Sequence, residues 1–125
     1  MKPGISAIVV VHNQLDLLKK CLDSIYSWVD EIILIDLEST EDIKSIVSQY
    51  QAKYITHKKV VIVESVRQSS LEYASYEYII FIDPDETIPA DLSLDLQEKI
   101  GTGEFVYFTI PRQNYVFGNW VQHSR

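Results

Sequence analysis

The chain carries a single cysteine, Cys21, among its 125 residues. One thiol excludes an internal disulfide and points to a reducing compartment, with Cys21 packed as a small apolar residue. Positive charge is also scarce: 11 Lys and Arg stand against 18 Asp and Glu, a formal net charge of -7. Nucleic acid or an anionic membrane held by charge alone needs clustered cations, so no nucleic acid is expected as a partner. No apolar run approaches the roughly 20 residues that span a bilayer. Lys2 followed by Ile8 to Val11 faintly resembles a leader segment, but His12-Asn13-Gln14 interrupts it and no small-residue cleavage site follows. A cytoplasmic protein, at most peripheral to the inner face of a membrane, is the expectation. There is no G-x-x-x-x-G-K-[ST], no G-x-G-x-x-G and no cysteine pair, which excludes a P-loop ATPase, a Rossmann dehydrogenase and a zinc finger. His12, His57 and His123 lack metal-ligand spacing.

What is present is a globular composition, 46% hydrophobic, of a length that suits one domain. Ile5 to Val11 is continuous and β-branched, as a parallel strand covered on both faces should be. Leu15, Leu18, Leu22, Ile25 and Val29 then recur at three- and four-residue steps, predicting an amphipathic helix ending near Trp28. Glu31 to Ile35 reads as a second buried strand closed by Asp36. Ser39-Thr40-Glu41-Asp42 resembles a capping box opening a helix with Ile43, Ile46, Val47 and Tyr50 as its stripe. Short strands at Lys53–Ile55 and Val60–Val63, a helical stretch from Arg67 to Tyr76 and a buried strand over Tyr78–Ile82 follow. Pro89 suits the first turn of a last helix carrying Leu92, Leu94, Leu96 and Ile100. Such strand-helix alternation predicts an α/β fold with a mostly parallel sheet and helices on both faces. After Gly101 and Gly103 the composition shifts to a β-rich tail with Phe105, Tyr107, Phe108, Tyr115, Phe117 and Trp120.

The acids concentrate the chemistry. Asp83-Pro84-Asp85-Glu86 stands directly after a strand, where open α/β sheets collect their ligands. In a still-extended chain, Asp83 and Asp85 would point to one face, with Pro84 stiffening the step between them. Two hard oxygen donors without a full cage suit Mg²⁺ or Mn²⁺ that completes its shell with waters and substrate phosphates. An acidic turn that only ends a strand is the plainer alternative. Asp36 should lie at the same rim, either as a cap for the loop to Ser39 or as an acceptor for a ribose or base. Arg67 and Arg112 are candidate phosphate partners, or solvated surface arginines. A receiver domain, similar in length and also able to bind Mg²⁺, would need acids after its first strand, where Val11-His12-Asn13-Gln14 stands instead.

From Ser6 to about His123 the chain resembles the family 2 glycosyltransferases, especially the branch that includes lipopolysaccharide core enzymes. The matching residues are Ser6 to Asn13, Cys21-Leu22 with Ser24, Trp28 to Glu31 leading to Asp36, Ser39-Thr40 and Asp42. Arg67 follows at the family's spacing before Asp83-Pro84-Asp85-Glu86, and then come Arg112, Asn114, Gly118, Trp120 and His123. The resemblance implies a GT-A nucleotide-sugar-binding fold over residues 1–125, with a core over 1–100, the aromatic tail over 101–125 and an incomplete C-terminal part. It implies a nucleotide diphosphate sugar as donor, bound by His12, Asn13, Asp36, Arg67 and Asp83, and a divalent cation on Asp83 and Asp85. Arg112, Asn114, Trp120 and His123 would face the acceptor, a glycan or glycolipid precursor of the cell envelope, and transfer would invert the anomeric centre. The family's catalytic base lies well beyond the metal motif, in a stretch without a match here, so no catalytic residue is assigned. The alternative is a non-catalytic module that binds nucleotide sugars or self-associates into a homo-oligomer through its aromatic tail. Three positions depart from the family pattern: Glu38 and Tyr76 stand where glycine is usual, and Gln68 where asparagine is usual.

Overall fold

A computed structural model describes residues 2–58, 69–102, 107–110 and 115–118, with side-chain surroundings over 4–58 and 69–101. The expected strand over Val60–Val63 lies outside the described residues. So do Arg67, Arg112, Asn114, Trp120 and His123.

The strands are β1 (Lys2–Val11), β2 (Glu31–Leu37), β3 (Lys53–His57), β4 (Tyr76–Phe81), β5 (Tyr107–Ile110) and β6 (Tyr115–Gly118). They form one sheet in the order β3-β2-β1-β4-β6-β5. The first four run parallel, and β6 joins β4 and β5 antiparallel. The chain therefore builds outward from β1 to β2 and β3, then returns to lay β4 on the other side of β1. That reversal creates a crevice between the carboxyl ends of β1 and β4, the place where such sheets bind ligands.

Alternation along the strands makes two hydrophobic layers. Ile5, Ala7, Val9 and Val11 of β1, with Ile32, Leu34, Tyr78 and Ile80, pack against α1 (Leu15–Ile25), a short α2 (Val47–Tyr50) and Leu96 of α3 (Ala90–Thr102). Ile8, Ile33, Ile35, Leu37, Ile79 and Phe81 face the other way, covered by Leu71 and Ala74. Residues 69–70 are helical and Leu71–Tyr73 form a 3-10 turn, so helical segments lie against both faces. Burying each Ile or Leu of these layers contributes about 1.5–3 kcal/mol.

Several boundaries differ from expectation for identifiable reasons. The helix of α1 stops at Ile25, and Trp28 instead donates its indole N–H to the Ser24 carbonyl (2.8 Å), closing the turn with a side chain. The stretch expected to be helical as far as Tyr76 ends its turn at Tyr73, and Tyr76 opens β4. Residues 43–46 form a 3-10 turn leading into the single turn of α2, and Asp42 before it makes no side-chain cap. On α3, Leu96 is buried but Leu94 is 66% exposed, because the apolar stripe runs at the four-residue steps Leu92, Leu96 and Ile100.

Candidate functional site

Parallel pairing brings the ends of β1, β2 and β4 to one rim. Val11 is level with Asp36, Ile8 is level with Phe81, and the Ile82 amide still bonds the Ile8 carbonyl at 3.1 Å. The chain then turns. Pro84 and Asp85 occupy the corner, and the Glu86 amide donates to the Asp83 carbonyl at 3.0 Å, closing a four-residue turn. The extended conformation expected for Asp83 and Asp85 is thus replaced by a turn, which gathers a third acid. One carboxylate oxygen from each of Asp83, Asp85 and Glu86 lies within 4.8 Å of the others. Glu86 thus joins the two acids expected to hold the cation; its sequence signal is the proline at the second position of a turn, which brings the first and fourth residues together.

The cluster has the electrostatics of a cation site. Glu86 is pushed up to about 7, first by burial and then by the charge of Asp83, with Asp85 adding to it. Its Oε1 is buried and has no hydrogen-bond partner among the described residues. The same field reaches back to α1, where burial and then Glu86, Asp83 and Asp85 push the buried Cys21 thiol up to about 12. Three hard oxygen donors gathered at one turn, with Glu86 held toward its neutral form by burial and by the charge of Asp83, fit Mg²⁺ or Mn²⁺. The loop is anchored to α1 beyond the cluster, where the Ile88 amide donates to Ser24 Oγ at 3.0 Å.

Asp36 lies inside β2, not past its end, and is buried with 5% exposure. Its Oδ1 accepts the Ser39 amide (3.0 Å) and its Oδ2 accepts the Tyr54 hydroxyl (2.5 Å). This second bond, together with burial, pushes Tyr54 up to about 12. Asp36 therefore brackets the loop that follows β2, and a carboxylate with about four lone-pair positions keeps acceptor capacity beyond these two bonds.

The loop after β1 is bound to that same loop. His12 Nδ1 lies 2.6 Å from the Leu37 carbonyl, and since a carbonyl only accepts, Nδ1 carries the hydrogen. The Asn13 amide donates to Ser39 Oγ (2.7 Å), and Asn13 Oδ1 accepts from the Thr40 amide (2.8 Å), the Thr40 hydroxyl (3.2 Å) and the Glu41 amide (3.0 Å). Glu41 Oε1 in turn accepts the Leu15 amide at the start of α1 (2.8 Å). The capping box expected within Ser39–Asp42 does not form, because its Ser, Thr and Glu are spent on the neighbouring loop. Asn13, Gln14 and Glu38 all have left-handed backbones, with φ of 60°, 62° and 52°.

The mostly parallel sheet with an acidic turn at its switch point has the fold of the nucleotide-diphospho-sugar transferases. The Glycosyl transferase family 2 description matches residues 6–125, and the chain belongs to that family. It is 33% identical over 104 residues to a poly(ribitol-phosphate) beta-glucosyltransferase of Bacillus spizizenii, covering 72% of this chain and 16% of that protein. Among solved structures it is similar to mannosyltransferase PcManGT of Pyrobaculum calidifontis in complex with GDP-Man and Mn²⁺, at TM-score 0.73 and 17% identity, covering 95% of this chain and 45% of that one. It is also similar to glucosyl-3-phosphoglycerate synthase of Mycobacterium tuberculosis with Mn²⁺, UDP and glucosyl-3-phosphoglycerate, at TM-score 0.66 and 18% identity, covering 94% and 57%. The chain spans between 16% and 37% of the length of six curated relatives. No helix among the described residues is long and apolar enough to cross a membrane.

Proposed function

We propose that this chain forms the donor site of a metal-dependent glycosyltransferase acting on a nucleotide diphosphate sugar. The observation that carries the reading is the meeting of Asp83, Asp85 and Glu86 oxygens within 4.8 Å at the sheet's switch point. Those three residues would hold a divalent cation, which neutralises the donor's diphosphate and the charge that develops on the departing nucleoside diphosphate. A second observation favours the cation over a helix dipole. The amino end of α1 is the usual anion-binding element at such a rim, but here the Glu41 carboxylate occupies the Leu15 amide and Asp16 adds a second acid to the first turn. Phosphate charge would then be met by a cation at the acidic turn, together with Arg67.

The nucleotide would lie across the ends of β1 and β2, against the loop of His12 and Asn13, with Asp36 accepting from ribose or base and Arg67 contributing a cation. The acceptor is a glycan or glycolipid precursor of the cell envelope, as in the lipopolysaccharide core branch, approached from the side of Arg112, Asn114, Trp120 and His123. Transfer inverts the anomeric centre, and no residue of this chain is assigned as the base. A cytoplasmic location with peripheral contact to the membrane's inner face, and self-association through residues 101–125, belong to the same reading. Calorimetry with UDP-, ADP- and GDP-sugars in Mn²⁺ tests it. Saturable binding of one of them, lost in the Asp83→Ala and Asp85→Ala variants, is expected; no binding by any, or binding that survives both substitutions, refutes the donor site.

A further inference from the structure

We propose that Asn13 is a positioning residue: its side chain latches the loop after β1 to the loop after β2, and any contribution it makes to donor affinity passes through that latch and not through contact with the donor. The inference rests on the donor-site reading above for its consequence, though not for the latch itself. Three donors converge on Asn13 Oδ1, from the Thr40 amide at 2.8 Å, the Thr40 hydroxyl at 3.2 Å and the Glu41 amide at 3.0 Å. A carbonyl oxygen has two lone pairs, so this acceptor has no capacity left for a ligand. The Asn13 main-chain amide is likewise committed, to Ser39 Oγ at 2.7 Å. The opposite side of the latch is Glu41, whose carboxylate receives the Leu15 amide and ties the second loop to the start of α1.

The latch explains why this site needs asparagine. The backbone at Asn13 has φ 60° and that at Gln14 has φ 62°, a conformation in which asparagine is among the few well-tolerated side chains. Glu38, with φ 52°, bends the facing loop into place between Asp36 and Ser39. Two bent loops, one leaving β1 at the crevice and the other leaving β2 beside Asp36, are thereby held at a fixed separation. A group that fixes such a rim before the ligand arrives lowers the ordering cost of binding.

The test uses Asn13→Gly, which removes the amide and keeps the left-handed backbone free of strain, together with Asn13→Asp, which keeps the acceptor oxygen and removes the Nδ2 donor. Amide hydrogen exchange on the whole chain without nucleotide, and calorimetry with UDP and with GDP in Mn²⁺, are the readouts. Asn13→Gly is expected to speed exchange at Thr40 and Glu41 and to weaken nucleotide binding, each by about fivefold, the equivalent of one hydrogen bond of about 1 kcal/mol. Asn13→Asp restores both. Unchanged exchange in Asn13→Gly overturns the latch. Faster exchange with unchanged affinity overturns its role in the site, and exchange restored without affinity in Asn13→Asp, measured at about 0.5 M salt where repulsion between the new carboxylate and the diphosphate is screened, shows direct contact through Nδ2 and overturns the positioning assignment. A wild-type chain that binds neither nucleotide, while Asn13→Gly still loosens Thr40 and Glu41, removes the donor-site reading and leaves the latch standing.

Discussion

Replacing Glu38 with glycine should raise stability, against the usual direction of a substitution to glycine. Glu38 holds φ 52° in the loop between Asp36 and Ser39, and the left-handed conformation costs an L residue about 1–2 kcal/mol. Glycine removes that cost but gives the unfolded chain more freedom, which takes back about 0.4–1 kcal/mol. The net expectation is a gain of about 0.5–1 kcal/mol. For 125 residues, an unfolding entropy of about 2.1 cal/mol/K per residue converts this to a Tm increase of about 2–4 °C. Glu38→Gln is the control, since it removes the charge and keeps a side chain on the strained backbone; its Tm should stay near that of the wild type. Glu38 is exposed and lines a cavity of about 270 Å³ with Thr56, His57 and Lys58. If its charge opposes the donor's diphosphate, both variants should bind nucleotide, at saturating Mn²⁺, more tightly than the wild type. Scanning calorimetry and isothermal titration read the two effects separately. A Glu38→Gly variant that melts at or below Glu38→Gln refutes the strain argument.

Two further substitutions probe the scaffold beneath the site. Gly4 has φ 145°, and a Cβ there would lie 2.6 Å from both Asp30 Oδ2 and Tyr76 Cδ1. Because Asp30 Oδ2 receives the Ile5 amide at 2.8 Å, Gly4→Ala should disturb the start of β1 and cost about 2–3 kcal/mol in denaturant unfolding, a loss below 0.5 kcal/mol being the contrary result. Glu31 joins four segments: its Oε1 accepts Ser6 Oγ (2.6 Å) and the Ser75 amide (2.7 Å), and its Oε2 meets Lys53 Nζ (2.8 Å). The Lys53 side chain is 47% exposed, so water screens the ion pair and most of the expected loss of about 2–4 kcal/mol in Glu31→Ala comes from the stranded donors. Although burial opposes it, the hydrogen bonds from Lys53, Ser6 and Ser75 hold the Glu31 carboxyl below its usual range. A lowered folded-state value means the contribution of ionisation is complete above the unfolded carboxyl range and is lost as pH falls through the folded value. The stability gap between wild type and Glu31→Ala should therefore narrow in acid; a gap equal at pH 7 and at about pH 3 contradicts that assignment.

The parts of this fold that were legible beforehand are those governed by local pattern. β1, β2 and β4 announce themselves because strands buried on both faces need continuous apolar residues, as in Ile5–Val11 and Tyr78–Ile82. The acidic turn was visible for the same reason, as charge placed where such a run stops. What escaped was decided by partners distant in sequence. Ser39, Thr40 and Glu41 have the spacing of a capping box, yet their bonds go to Asn13 and Leu15, which lie 26 to 28 residues away. Asp36 looked like the residue after a strand, but pairing with β1 and β3 carries β2 on to Leu37 and leaves Asp36 buried beneath Tyr54. Glu38 departs from the family pattern, and its left-handed backbone explains why glycine suits that position. Glu86 was in view throughout; the turn that folds it back onto Asp83 depends on one hydrogen bond that spacing alone does not disclose.

The claim on which the functional reading turns is that Asp83, Asp85 and Glu86 form a cation site completed by a nucleoside diphosphate. Mn²⁺ titration followed by electron paramagnetic resonance, with and without UDP or GDP, measures this directly. Saturable uptake of one Mn²⁺ is expected, tightening when nucleotide is added and disappearing in Asp83→Asn and in Asp85→Asn, while both variants keep the wild-type fold by circular dichroism. Mn²⁺ that binds with the same affinity whether or not nucleotide is present, or that binds the two variants as well as the wild type, contradicts it.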